Sequence, residues 1–152
     1  MYELFKIKPI DQYAVDYLVR NLKDFEKNRS IKSGLAAAGK LFKDEGGKRL
    51  RSRMKAGRKG VTGNLLRSID FRVKKHSLGM LVGFKQGKGG GSHASWIDSG
   101  TDERFWIKKG KSIGRVTGNY FWTDTKNQDY PQAINMLYQG IERAVSRINK
   151  RQ

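Results

Sequence analysis

The sequence predicts an α+β fold, a small antiparallel β-sheet packed against N-terminal helices and a long C-terminal helix, with extended basic and Gly-rich loops. Three observations carry this. Apolar residues recur at three- and four-residue steps toward both ends of the chain, they alternate with polar residues over a short span in the middle, and glycines cluster around that span. A chain of 152 residues suits one domain. Within residues 1–152 we expect a mostly helical part over 1–56, a β-rich middle with loops over 61–122, and a C-terminal helix over 129–150.

The alternation Tyr2-Glu3-Leu4-Phe5-Lys6-Ile7, ended by Pro9, reads as an edge strand. From Asp11, a good N-cap, Ala14, Tyr17, Leu18, Leu22 and Phe25 make an amphipathic stripe that should stop near Asn28. Ser30 is placed to cap a second helix carrying Ile31, Leu35, Ala38, Leu41 and Phe42. Gly46-Gly47 should weaken or kink that helix before Leu50 and Met54. Gly57, Gly60 and Gly63 then lead into a strand where Ile69, Phe71 and Val73 alternate with Ser68, Asp70 and Arg72. Ser77-Leu78-Gly79 reads as a turn, Met80 to Phe84 as the returning antiparallel strand, and Gly87 to Gly91 as a glycine-rich loop.

His93 to Ile97 is a third strand candidate, closed by a Ser99-Gly100-Thr101 turn. In residues 102–122 the aromatics Phe105, Trp106, Tyr120, Phe121 and Trp122 bracket a basic loop, Lys108 to Arg115, which predicts two strand fragments joined by a projecting loop. Asp129 should cap a last helix with Pro131 in its first turn. Its apolar face is Ile134, Leu137, Tyr138, Ile141, Ala144, Val145 and Ile148.

The chain has no cysteine and two isolated histidines, so disulfides, thiolate metal sites and Cys nucleophiles are excluded, and no all-protein zinc site is expected. No apolar run approaches the roughly 18 residues that span a bilayer, and Met1 to Asp11 lacks signal-peptide character. The expectation is a soluble, unexported protein without cofactor, metal or membrane partner. Its 32 Lys and Arg against 14 Asp and Glu give a net +18, well beyond the roughly 2–8 that solubility asks of a small domain. The excess gathers in residues 48–75, where eleven basic side chains face one acid, Asp70. This band reads as a solvated helix end and loop, as a contact for an acidic protein, or as a contact for nucleic acid.

Two segments carry a family resemblance. Thr62, Gly63, Leu65, Ser68 and Ile69 form a Thr-Gly-x-Leu-x-x-Ser-Ile lead into a strand pair, and Ala94, Trp96, Ile97, Asp98, Gly100 and Thr101 form a second motif about thirty residues on. With the Ala- and Lys-rich helix, the basic linker, the Gly-rich loop and the final amphipathic helix, residues 31–150 resemble the tail-completion or neck family of long-tailed bacteriophages. The chain departs from that pattern at His93, Ser99 and Asn119-Tyr120-Phe121, where the family often has Tyr, an aromatic and an Arg-Pro-Phe run.

The resemblance implies a non-enzymatic structural virion protein of the neck or upper tail. It would assemble as a homo-oligomeric ring, help join head to tail, and meet other neck, connector or tail proteins. Assembly would start in the host cytoplasm and end in the virion. On that reading Thr62, Leu65, Trp96, Asp98, Thr101, Phe105 and Trp106 are candidate contacts between copies or partners. Arg49, Arg51, Arg53, Lys55, Arg58, Lys59, Lys108, Lys109, Lys111 and Arg115 are candidate contacts to an acidic partner or to DNA passing through the channel. A ring of copies each carrying +18 needs an acidic neighbour. One charge pair 10 Å apart in water repels by only about 0.4 kcal/mol, but many pairs add up.

Other readings attach to the same residues. A small, sequence-independent DNA-binding protein would use the basic band directly. The tryptophans Trp96, Trp106 and Trp122 are read as core or subunit-contact residues ahead of base-stacking platforms. Asp98, Asp102 and Glu103 with His93 suggest the hard oxygen ligands of a magnesium nuclease, but one turn of acids without a second cluster does not complete a site, and Asp98 is expected to accept backbone N–H bonds in its turn. Gly83 to Lys88 and Gly110-Lys111-Ser112 miss the spacing of a phosphate-binding loop. His76 reads as a surface histidine.

Overall fold

The computed structural model describes residues 12–54, 63–86 and 91–151. The expected edge strand at Tyr2 to Ile7, the Asp11 cap, most of the Gly87 to Gly91 loop, and Lys55, Arg58, Lys59 and Thr62 lie outside the described residues. The fold is α+β. In chain order the elements are α1 (Gln12–Val19), α2 (Asp24–Arg53), α3 (Asn64–Ser68), β1 (Ile69–Val73), β2 (Met80–Phe84), α4 (Ala94–Ser99), β3 (Arg104–Phe105), β4 (Ser112–Gly114), α5 (Phe121–Gln128) and α6 (Tyr130–Asn149).

The first helix ends earlier than its apolar stripe suggests. Leu22 N–H donates to Val19 O at 3.0 Å in a tight corner, and Leu22 is buried there. A new helix then begins at Asp24, with Asp24 and Glu26 at its positive end and Glu26 accepting the Lys23 N–H at 3.1 Å. The side of α1 facing inward is Val15, Leu18 and Val19, while Tyr17 and Phe25, expected on the buried stripe, are exposed. Ser30 caps nothing. It sits buried inside α2 with its hydroxyl unpartnered.

The 30-residue α2 runs through Gly46-Gly47 without ending. Glycine there makes room for neighbours: a Cβ on Gly46 would lie 2.7 Å from the Trp122 ring, one on Gly39 2.6 Å from Phe71, and one on Gly34 2.5 Å from the Leu137 carbonyl oxygen of α6. The packing gained at these contacts offsets the roughly 0.5–1 kcal/mol that each helix glycine costs relative to alanine. α6 buries Ala133, Leu137, Gly140 and Ile141 along the face its periodicity predicts, with Pro131 in the first turn.

β1 and β2 form the predicted antiparallel hairpin, in register from Ile69 opposite Phe84 to Val73 opposite Met80. They lie on α2. Phe42, Leu50, Ile69, Val82, Phe121, Leu137 and Ile141 are the largest fully buried apolar side chains among the described residues, and Phe84 meets Phe121 and Trp122 edge-on at 5.8 and 5.0 Å between ring centroids.

Two further expectations are corrected. The third strand candidate, His93 to Ile97, is helical: Ala94, Ile97 and Asp98 turn inward at three- and four-residue steps while Ser95, Trp96 and Ser99 stay exposed. The span 102–122 does contain two short strands joined by a loop, but Phe121 and Trp122 begin α5 and plug the core.

Candidate assembly surface

β3 and β4 form a hairpin that grows from a rigid root. Thr101 and Val116 exchange bonds at the root, Thr101 N–H to Val116 O at 2.9 Å and Val116 N–H to the Thr101 hydroxyl at 3.0 Å, beside a bridge between Gly100 and Thr117. Gly100 has φ +83, and a Cβ on it would lie 2.7 Å from Val116 O, so this position needs glycine. Farther out, Trp106 N–H donates to Lys111 O at 2.8 Å, Gly110 takes φ +57 in the tip, and the Ser112 hydroxyl donates to Glu103 at 2.6 Å.

Every residue from Asp102 to Arg115 is exposed. That run includes Phe105, Trp106, Ile107 and Ile113, with Ile107 98% exposed. Between them stand Arg104, Lys108, Lys109, Lys111 and Arg115. Large apolar side chains held in water on an ordered hairpin mark a contact surface more often than a solvated loop. A second exposed aromatic face lies on α1, where Tyr13 and Tyr17 share one side of the helix with Asp16, and Phe25 follows in the first turn of α2. The guanidinium of Arg20 lies 4.3 Å from the centre of the Tyr17 ring.

The candidate residues from the sequence divide sharply. Phe105, Trp106, Lys108, Lys109, Lys111 and Arg115 come together on the hairpin, and Thr101 sits at its root. Arg49 and Arg53 do not face outward as a basic band requires. Arg49 donates to Asp129 and to the Thr125 hydroxyl, each at 2.7 Å, and Arg53 donates to Asp124 at 2.6 Å and to Asn119 O at 2.7 Å, so both tie α2 to α5 and its flanks. Arg51 is exposed. Asp129 precedes α6 but its carboxylate goes to Arg49, with no side-chain cap bond. Leu65 is half-buried against the core, and Trp96 is exposed beside His93, 5.0 Å between ring centroids.

Asp98 is buried and serves the interior. One carboxylate oxygen accepts the N–H groups of Trp122 and Thr123 at 2.7 and 3.0 Å, and the other accepts the Thr123 hydroxyl at 2.5 Å. It therefore accepts backbone N–H bonds as expected, from the start of α5 instead of its own turn. Among the described residues no group of three or more His, Cys, Asp or Glu side chains is arranged to hold a metal ion. No described helix is long and apolar enough to cross a membrane.

Electrostatics on the sheet are local. Burial pushes the Asp70 carboxyl up, but bonds from Lys85 and Lys43, at 2.8 and 3.2 Å, and from the Phe71 backbone outweigh it, and the group sits below the ordinary carboxylate range. Lys48 is raised by its hydrogen bond to Glu45.

Sequence reasoning missed Ile107, Ile113 and the α1 face. The signal for the hairpin was present, since Phe105-Trp106-Ile107 abuts Lys108-Lys109 with no polar spacer. The signal for α1 was a surplus: Tyr13, Val15, Tyr17, Leu18 and Val19 are more large apolar residues than one helix side can bury. Comparison with protein-family models, with curated proteins and with solved structures finds no match for this chain.

Proposed function

We propose that this chain is a structural virion protein of a phage neck or upper tail, which assembles as a homo-oligomeric ring and helps join head to tail without catalysing a reaction. The observation that supports it is the hairpin Arg104 to Gly114, whose apolar side chains no other part of the described chain covers. Burying a Phe, Trp or Ile of this kind against a partner is worth about 1.5–3 kcal/mol each before association costs. The flanking cations Lys108, Lys109, Lys111 and Arg115 suit an acidic neighbour, a connector protein or passing DNA, which would offset the charge that stacked copies bring together.

Light scattering and negative-stain microscopy across a concentration series test this, with ring particles expected. A protein that stays monomeric throughout, alone and with acidic partner rings, overturns it. A second reading, a small sequence-independent DNA-binding protein, is favoured by the same hairpin's mix of aromatics and cations, since a two-stranded ribbon fits the major groove and aromatic faces stack on unpaired bases. It would show as duplex binding that weakens steeply with salt.

A further inference from the structure

Cations gather on the outer face of the β1–β2 hairpin and on the flank of α2 beside it. Ile69, Phe71 and Val73 pack on the core, so strand alternation puts Asp70, Arg72 and Lys74 on the opposite face, with Gly83 across from Asp70, Leu81 across from Arg72, and Lys85 continuing the row. Lys43 of α2 and Lys85 both reach Asp70, at 3.2 and 2.8 Å, and Lys32 of α2 donates to the Lys75 carbonyl oxygen at 2.6 Å. Helix and hairpin thus form one surface. Lys32 and Lys43 stand about three helical turns apart on one side of α2, and Arg29 and Lys40, each three residues before one of them, widen the same flank. Arg29, Lys40, Arg72 and Lys75 are exposed, and with Lys74 they make no ion pair among the described residues. The acid inside this surface is Asp70, which two lysines already share, while Glu26 and Asp44 stand at its edges.

The chemistry favours a phosphate backbone over an acidic protein. Contacts between proteins have an apolar centre and are poor in lysine, whereas Leu78, in the turn, is the one large apolar side chain exposed within residues 29–43 and 69–85 among the described residues. The row from Arg29 to Lys43 spans about 21 Å at 1.5 Å per residue. One strand of a duplex carries a phosphate roughly every 3.4 Å of its axis, about six over that length. The two match in charge and in reach. β1 and β2 lie on α2 and present no element that enters a groove, and phosphate contacts carry no sequence information. We infer that this face is a sequence-independent contact for the phosphate backbone of double-stranded DNA. It is a different surface from the β3–β4 hairpin, and it does not depend on whether the chain forms a ring.

Binding of a labelled, mixed-sequence DNA duplex of about 24 base pairs, followed by fluorescence anisotropy over about 50–200 mM salt, tests this. Lys40→Gln, Arg72→Gln and Lys75→Gln together remove three exposed charges, and an unchanged circular dichroism melt checks the fold. This triple variant is expected to lose about tenfold or more in affinity at the low-salt end. Its slope of log K against log salt should flatten by about 2–3, since each phosphate contact contributes about 0.9. Replacing Arg143, Arg147 and Lys150, exposed along α6 and at its end, by Gln removes the same charge and should cost less than about threefold with the slope kept. A first variant that binds like wild type overturns the inference. Equal losses in the two variants report net charge alone and overturn it too. A polyglutamate peptide that binds wild type as tightly as the duplex makes the face a contact for acidic protein, and a preference above about tenfold between two duplexes of unrelated sequence makes it a sequence reader; either overturns it. Wild type that binds no duplex at the lowest salt overturns this inference and leaves the ring reading standing.

Discussion

The carboxylate of Asp98 accepts the backbone N–H of Trp122 at 2.7 Å, twenty-four residues on, and in doing so caps the start of α5. The first N–H groups of a helix have no partner within it, and here the helix interrupts a buried corner where water cannot serve. The nominal N-cap, Tyr120, sits at φ 54 and makes no side-chain cap bond. Asp98 supplies the missing acceptor from the preceding helix.

Asp98→Ala is therefore expected to destabilise the fold by about 2 kcal/mol, lowering Tm by roughly 4–8 °C for a domain of this size. Asp98→Asn, which keeps an acceptor oxygen, should recover part of the loss. Thermal melts by circular dichroism check both. A melt unchanged in Asp98→Ala would show that the Asp98 carboxylate contributes nothing to holding α5.

Glycines within α2 should respond oppositely to the same change. Gly34→Ala pushes a Cβ to 2.5 Å from Leu137 O and 2.7 Å from Ile141, where α6 crosses and neither backbone can yield. A loss of about 1–3 kcal/mol is expected from overpacking. Gly47, nearly two turns from the C-terminal end of α2, has only Leu66 near it among the described residues, at 3.7 Å. Gly47→Ala should stabilise by about 0.5–1 kcal/mol through helix propensity. Denaturant midpoints of the two variants should move in opposite directions.

These contacts explain which parts of the fold the sequence disclosed. β1, β2 and α6 were legible because Ile69, Phe71 and Val73, or Leu137 and Ile141, repeat at a period their own element sets. The passage of α2 through Gly46-Gly47 was not, because what makes glycine favourable there is the Trp122 ring, seventy-odd residues away in sequence. The α4 helix was hidden by brevity, since six residues fit either period. For α5 the capping signal stands in another helix at Asp98. At the candidate surface, the hairpin aromatics and lysines could be read directly, whereas Arg49 and Arg53 were misread as a solvent-facing band because their acids, Asp129 and Asp124, are far along the chain.

The pH dependence of the sheet follows from Asp70. Its folded pKa is depressed by Lys85 and Lys43 despite burial, so the stability it contributes is fully present above the unfolded carboxylate value and is lost as pH falls through the folded one. Both lysines are substantially exposed, which limits the contribution to less than about 1 kcal/mol. Asp70→Asn should be slightly less stable than wild type at pH 7. The gap should close as pH drops below about 4. Urea titrations at the two ends of that range measure it, and a gap that widens in acid would reverse the assigned sign.

Finally, the basic residues should separate into two functional groups under substitution. Arg49 and Asp129 have side chains only 17% and 12% exposed, so Arg49→Ala leaves a carboxylate largely out of water and is expected to cost about 2–3 kcal/mol with little direct effect on association. Lys108, Lys109 and Lys111 make no ion pair in the described chain and stand in water. Replacing all three by Gln should shift stability by no more than about 0.5 kcal/mol. Because the hairpin lysines would attract an acidic neighbour through solvent that salt screens over about 8 Å, the triple variant should instead lose the salt dependence of assembly or partner binding. Melts and association measured between low and moderate salt distinguish the two groups; a triple variant that keeps the wild-type salt response would place the working charge elsewhere on the protein.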